Sequence, residues 1–178
     1  IMKRKIIVSI VMLTLFPLIT LAKIPGKFEL IKPNKMPAAH SMEKIVIKEI
    51  FGFSCGHCYK FHKKIPRLKK KYGSRVTFIP VPTGWKGHDP GRLYYIAKSK
   101  GKGDQVIQMV FNYFHRDRLG HSIYKRKMLK IVAKNKGLLK EFQTMIDNPK
   151  IIKQMNDGVK YVKNMNIKET PTLVINGV

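Results

Sequence analysis

Two cysteines, Cys55 and Cys58, are the only thiols in the 178-residue chain, and Gly56-His57 separates them. Thiols two residues apart at the start of a helix can close a small disulfide ring and open it again. Such a pair trades electron pairs with other dithiols. It is a poor staple, because a bridge between residues three apart closes a tiny loop and removes almost no chain entropy. A c-type haem would need His directly after the second cysteine, and that position is Tyr59. Zinc is the serious rival. Cys55, Cys58 and His62 have ligand-like spacing with His57 nearby, but structural zinc wants four ligands, usually from two separated pairs, and no second pair exists. The pair therefore reads as a redox-active dithiol, with a metal site and inert thiols as the alternatives.

The elements that must position this pair can be traced along the chain. Ile45–Phe51, IVIKEIF, is β-branched and apolar, as in a strand covered on both faces. A strand followed by CxxC is the arrangement of a thioredoxin-like redox motif. From Gly56 the residues Cys58, Phe61, Ile65, Leu68 and Tyr72 recur at helical spacing and predict one buried stripe. Pro66 predicts a kink within that helix, and Gly73 its end. Residues 75–80, RVTFIP, predict a second buried strand, and PTGWKGHD a loop. Helical patterns follow around Leu93–Ala97, Val106–Phe114, Met128–Val132, Leu139–Ile146 and Ile151–Met165, before a last strand over 172–177. Phe28–Ile31 is a further candidate edge strand. The expected fold is α/β: a thioredoxin-like domain over 23–87 and 150–178, interrupted by an inserted helical domain over 88–149.

The ends and the composition add context. Lys3, Arg4 and Lys5 precede an apolar run from Ile6 to Ile19, and Thr20-Leu21-Ala22 offers small residues for cleavage. Residues 1–22 thus read as a secretory signal peptide. The run is shorter than the ~20 residues of a membrane span and contains Pro17. An exported protein with a lone CxxC meets an oxidising compartment, which favours forming or shuffling disulfides in other exported proteins. Net charge is +26, but the lysines are spread, no aromatic stacking pattern interleaves them, and Lys outnumber Arg 29 to 7. That composition suits bidentate phosphate recognition poorly, so no nucleic-acid partner is expected. A solvated lysine-rich surface is the simpler reading, with loose attraction to anionic envelope surfaces as the alternative. The chain starts with Ile1 before Met2 and stops at Asn176-Gly177-Val178, where a strand should turn into its partner. It is expected to be truncated at the C-terminus, short of a final strand and helix.

A family resemblance adds to this. Glu49–Phe61, EIFGFSCGHCYKF, resembles the active-site region of DsbA-type thiol:disulfide interchange proteins of the thioredoxin superfamily. Thr170–Gly177, TPTLVING, resembles their cis-proline loop and following strand, and the 113 residues from Cys58 to Pro171 leave room for the family's helical insertion. Three departures stand out. The dipeptide is Gly-His, as in protein disulfide isomerases, where well-known DsbA proteins have Pro-His. Thr170 stands where Val is frequent. The lysine that pairs with a buried carboxylate at the position of Glu49 is missing, since the matching strand reads Val76-Thr77-Phe78-Ile79.

The resemblance implies a protein disulfide oxidoreductase in the periplasm, with neither cofactor nor metal. Its substrates would be cysteine-containing exported proteins, and a membrane redox partner would re-oxidise or reduce the dithiol. Cys55 would be the nucleophile, its thiolate favoured by the helix start and by protonated His57. Cys58 would be the resolving thiol. A cis Pro171 would present the Thr170 backbone to substrate, and Glu49, if buried, could accept the Cys58 proton. The alternative is an exported metal-binding or binding-only module with an idle dithiol. Trp85 and Tyr94 read as core residues first and substrate-facing residues second. His62, His88, His115 and His121 carry no further pattern.

Overall fold

A computed structural model describes residues 44–177. The signal peptide expected over 1–22 and the strand expected at Phe28–Ile31 lie outside the described residues. Strand β1 is Ile45–Phe51, β2 is Val76–Pro82 and β3 is Thr172–Ile175. They form one sheet in the order β2-β1-β3, with β1 parallel to β2 and antiparallel to β3. The β-branched run thus becomes the central strand, where both of its faces are covered.

Side chains alternate across β1, so its two faces serve two cores. Ile50 joins Val81 and Val174 against Val162 and Met165, on the face covered by helix α7, Pro149–Asn164. Glu49 and Phe51 point to the other face. There Phe51 meets Cys58 and a large apolar cluster that includes Leu93, Val110, Phe111 and Leu129. Those residues belong to α1 (Gly56–His62), α3 (Asp89–Ser99), α4 (Gly103–Phe111) and α5 (Arg126–Asn135). Two more helices complete the set: α2, Ile65–Tyr72, and α6, Leu139–Met145. Among the described residues no helix is long and apolar enough to cross a membrane.

Three expectations need correction. The kinked helix is two helices: α1 stops at His62, and Pro66 lies in the first turn of α2, where a missing N–H costs nothing. The stripe is buried only in part, since Ile65 is buried while Leu68 is half-buried and Tyr72 is exposed. Finally, β2 runs to Pro82 rather than stopping at Pro80. Glu49 pairs in register with Pro80 and Phe51 with Pro82. Prolines fit because β2 is, among the described residues, an edge strand whose residues alternately face β1 and away from it. Thr83 donates its N–H to the Phe51 carbonyl at 2.9 Å. That sets the odd-numbered positions toward β1 and both prolines away from it. The Pro80 carbonyl accepts from the buried Tyr94 hydroxyl at 3.2 Å.

Three short elements were not expected, the first a 3-10 turn over Gly73–Arg75 between α2 and β2. Helix α4 runs into a π-helical turn over Asn112–Arg116, and a 3-10 turn follows over Gly120–Tyr124.

Candidate active site at the start of helix α1

The chain leaves β1 at Phe51, turns through Gly52-Phe53-Ser54, and enters α1 at its N-cap, Cys55. The Cys55 N–H donates to the Gly52 carbonyl at 3.0 Å, which fixes the turn. Cys55 and Cys58 are joined as a disulfide. Their environments differ. Cys58 is completely buried, while Cys55 is half-buried at the rim of a groove. The Cys58 N–H donates to the Cys55 sulfur at 3.1 Å. Helix-start N–H groups have no intrahelical partner, so this donor is free to stabilise negative charge on that sulfur. His57 is exposed in the first turn, beside it in sequence.

The Thr170 carbonyl lies 3.4 Å from the Cys55 sulfur. The Thr170-Pro171 peptide is cis, as expected from the motif. Residues 115 apart in sequence thus meet at the dithiol, because β3 pairs with β1 directly beneath it, Ile50 opposite Thr172. The groove at Cys55 is also walled by Ser54, Gly84, Trp85 and Tyr124. Trp85 is half exposed there, so the expectation that it packs in the core is corrected, while Tyr94 is a core residue. Burial pushes the Tyr124 hydroxyl up, although contact with Ser54 opposes the shift.

Gly84 shapes the Trp85 wall. Its φ is +71°, and a β-carbon there would stand 2.7 Å from the His88 ring and 2.8 Å from the Met155 methyl. Gly84→Ala is expected to cost about 1–3 kcal/mol through backbone strain and displacement of these neighbours. Urea unfolding measures it, and an unchanged midpoint would reject the account.

Behind the dithiol, Phe111 is the hub of an aromatic cluster. Its ring centroid lies 5.6 Å from Phe51, 5.5 Å from Phe53, 6.0 Å from Tyr59 and 5.5 Å from His62. His115, in the π-helical turn, stacks on Tyr59 at 5.1 Å and 10°. Its Nε2 lies 3.0 Å from the Phe53 carbonyl, an acceptor, so that nitrogen carries the proton. Burial pushes the His115 ring down from its ordinary value, and the bond to Phe53 partly offsets this. The inserted helices thus hold the turn that leads into Cys55.

Glu49 is fully buried, and its Oε2 lies 3.7 Å from His62 Nδ1. Phe111 and His115 were not expected at the site, and His62 was considered there only as a rival zinc ligand. The zinc alternative required His62 to join the cysteines, and the ring is instead turned toward Glu49. Among the described residues no three His, Cys, Asp or Glu side chains converge as metal ligands.

Comparison with known proteins agrees with this geometry. The sequence model of the Thioredoxin family matches residues 40–178. The thiol:disulfide interchange protein DsbA of Burkholderia cepacia is 24% identical over 152 residues, covering 84% of this chain and 71% of that protein. DsbA of Pseudomonas aeruginosa is 28% identical over 139 residues, with 75% and 64% covered. The chain thus spans roughly two thirds of these curated relatives. Among solved structures, the oxidoreductase DsbA of Xylella fastidiosa shares the fold at a TM-score of 0.70 and 24% identity, over 82% of this chain and 80% of that one. A Pseudomonas aeruginosa DsbA crystal structure matches at 0.68 and 22%, over 81% and 76%. The sheet, its helical insertion and the paired motifs thus have one common explanation: the chain belongs to the thioredoxin family, as a DsbA-type member.

Proposed function

We propose that this thiol:disulfide oxidoreductase works in the periplasm, inserting disulfides into cysteine-containing exported proteins, and that a membrane redox partner restores its own disulfide. The observation that carries the reading is the asymmetry of the pair. Cys55 lies at the rim of a groove with an N–H donor 3.1 Å from its sulfur, while Cys58 is sealed in the core. Only Cys55 is open to an incoming thiolate. A client thiolate attacks the Cys55 sulfur, the Cys55–Cys58 bond breaks, and its electron pair leaves on Cys58. A second client thiolate then attacks the client sulfur of the mixed disulfide and expels Cys55 as a thiolate. The client loses two electrons and the dithiol gains them. Stabilising the Cys55 thiolate stabilises the reduced enzyme and makes its disulfide the stronger oxidant. Thr170 offers its backbone carbonyl beside the reacting sulfur, which suits a client segment docking in extended form next to Pro171.

The test mixes the oxidised protein with a reduced, unfolded client that carries two cysteines. The expected result is stoichiometric formation of the client disulfide with matching appearance of Cys55 and Cys58 thiols. Persistence of the enzyme disulfide beside a reduced client would overturn the reading.

His57 is expected to set the oxidising strength. His57→Pro removes a ring that can carry positive charge and one of the free first-turn N–H groups, yet proline is tolerated in a first helical turn. The glutathione equilibrium is expected to move by about tenfold or more toward the enzyme disulfide; tenfold corresponds to ~30 mV. An unchanged equilibrium constant would make His57 a plain turn residue.

A further inference from the structure

The dithiol has a rear side that the oxidation steps above do not use. Glu49 is fully buried, and β2 places Pro80 opposite it. Among the described residues neither Glu49 carboxylate oxygen nor His62 Nδ1 has a hydrogen-bond partner; the 3.7 Å approach between them is their ion-pair contact. A bare carboxylate at this depth is costly, and the His62 ring is the polar group that faces it. His62 follows Cys58 by four residues on α1, so both lie on one helix face. His62 also lines a cavity of about 510 Å³, with Asp104, Tyr113, Arg116 and Lys136 among its other walls. That cavity shares no residue with the groove at Cys55.

We propose that His62 is a positioning residue for the redox step: with Glu49 it holds a proton behind Cys58 and exchanges it with water through this cavity. The proposal rests on Cys55–Cys58 being the working dithiol. When the client thiolate breaks the disulfide, the electron pair arrives on the Cys58 sulfur in the core, where a bare thiolate is costly. The Glu49 carboxyl gives its proton to that sulfur and becomes a carboxylate. His62 takes up, through the cavity, the proton that the client thiol released to solvent and, as an imidazolium, compensates the carboxylate. On re-oxidation the same proton leaves Cys58 for Glu49, and His62 returns its own to the cavity.

The groups that face this pair do not take over the task. From α3, Tyr94 keeps its phenolic proton, held first by burial and further by the nearby negative charge of Asp104. From the cavity walls, Asp104 is paired with Lys69 and Arg116 with Asp117, both at the surface. Tyr113 is engaged by Asn135, and Lys136 follows α5 at the cavity wall. His62 is therefore the group that touches both the buried carboxylate and the cavity.

Two measurements decide this, and the first separates it from the functional reading. The glutathione equilibrium of the wild-type protein, followed from about pH 5 to about pH 8 where histidine titrates, shows whether the dithiol cycles at all. A dithiol that does not cycle rejects the functional reading and this proposal with it. If it cycles, the His62 ring, assigned by comparison with His62→Gln, is expected to titrate at midpoints that differ by about 0.5 pH unit or more between the oxidised and reduced wild-type forms. Coincident midpoints overturn the proposal while leaving the enzyme's function intact.

The second measurement uses variants. His62→Phe and His62→Gln are expected to flatten the pH dependence of the equilibrium constant, with a departure from wild type of about tenfold at one end of the range. Glu49→Gln should flatten it likewise, and the Glu49→Gln/His62→Gln double variant should add nothing further. Profiles parallel to wild type overturn the proposal, however much stability the variants lose. If His62→Phe does not fold, His62→Gln and the wild-type titration decide the matter.

Discussion

Cys55→Ser is expected to reduce client oxidation to the uncatalysed background, while Cys58→Ser is expected to stop one step later and accumulate mixed disulfides. Both variants lack the internal disulfide, so neither can oxidise a client in solution. They differ in what they do with an activated disulfide. In Cys58→Ser the remaining thiol lies at the groove, beside the Thr170 carbonyl and within reach of the residue-58 N–H. That donor favours its thiolate, so Cys55 is expected to ionise below the ordinary range of a free thiol and to react fast. In Cys55→Ser the remaining thiol is wholly buried, with no path for an attacking partner. Mass spectrometry after mixing each variant with oxidised glutathione or a cysteine-bearing peptide disulfide reads the difference. Cys58→Ser should form its adduct at least about tenfold faster. Equal rates would mean that the dithiol has no front and back, and the oxidation scheme would fall with that.

Phe111→Ala is expected to be the most damaging single truncation of the core, costing about 3–5 kcal/mol. The ring is fully buried where α4 meets the loop that leads to Cys55, and five aromatic neighbours lie within 6.0 Å of its centroid. Its removal leaves a cavity between β1, α1 and the inserted helices. These elements come from distant parts of the chain and relax poorly into it. Against a total stability of about 5–15 kcal/mol, such a loss is a large fraction of the fold. Urea unfolding measures it, with Phe111→Leu as the milder reference. A loss under about 1 kcal/mol would show that the helical insertion and the sheet do not share one core.

Much of this site is readable in residue order because its chemistry is local. Cys55 and Cys58 sit on one helical turn, the preceding strand announces itself by an unbroken apolar run, and Pro171 stands directly before a β-branched strand. What escaped is created by contacts between distant segments. His62 is at helical spacing from Cys58, a signal that points to a shared face but not to Glu49, thirteen residues away on β1. Phe114 satisfies the periodicity of α4, so nothing local marks the π-helical turn. The wider winding coincides with His115 reaching the Phe53 carbonyl, a contact between residues 62 apart. Tyr72 fits the stripe of α2, yet the helix ends at the surface, since periodicity says which residues share a face and not whether anything covers it.

The outer margin of β2 has a consequence for a protein proposed to act on unfolded chains. An open strand edge is a template for any extended peptide, and clients awaiting their disulfides are rich in such segments. On the margin of β2 that faces away from β1, positions 80 and 82 are prolines without an N–H to give, and the Pro80 carbonyl is already occupied by Tyr94. Among the described residues, a visiting chain therefore finds that end of the margin closed: residues 80–82 are buried and offer no outward N–H. Unproductive adhesion at that end of β2 is discouraged, and extended clients are left to the face where the Cys55 sulfur can react with them.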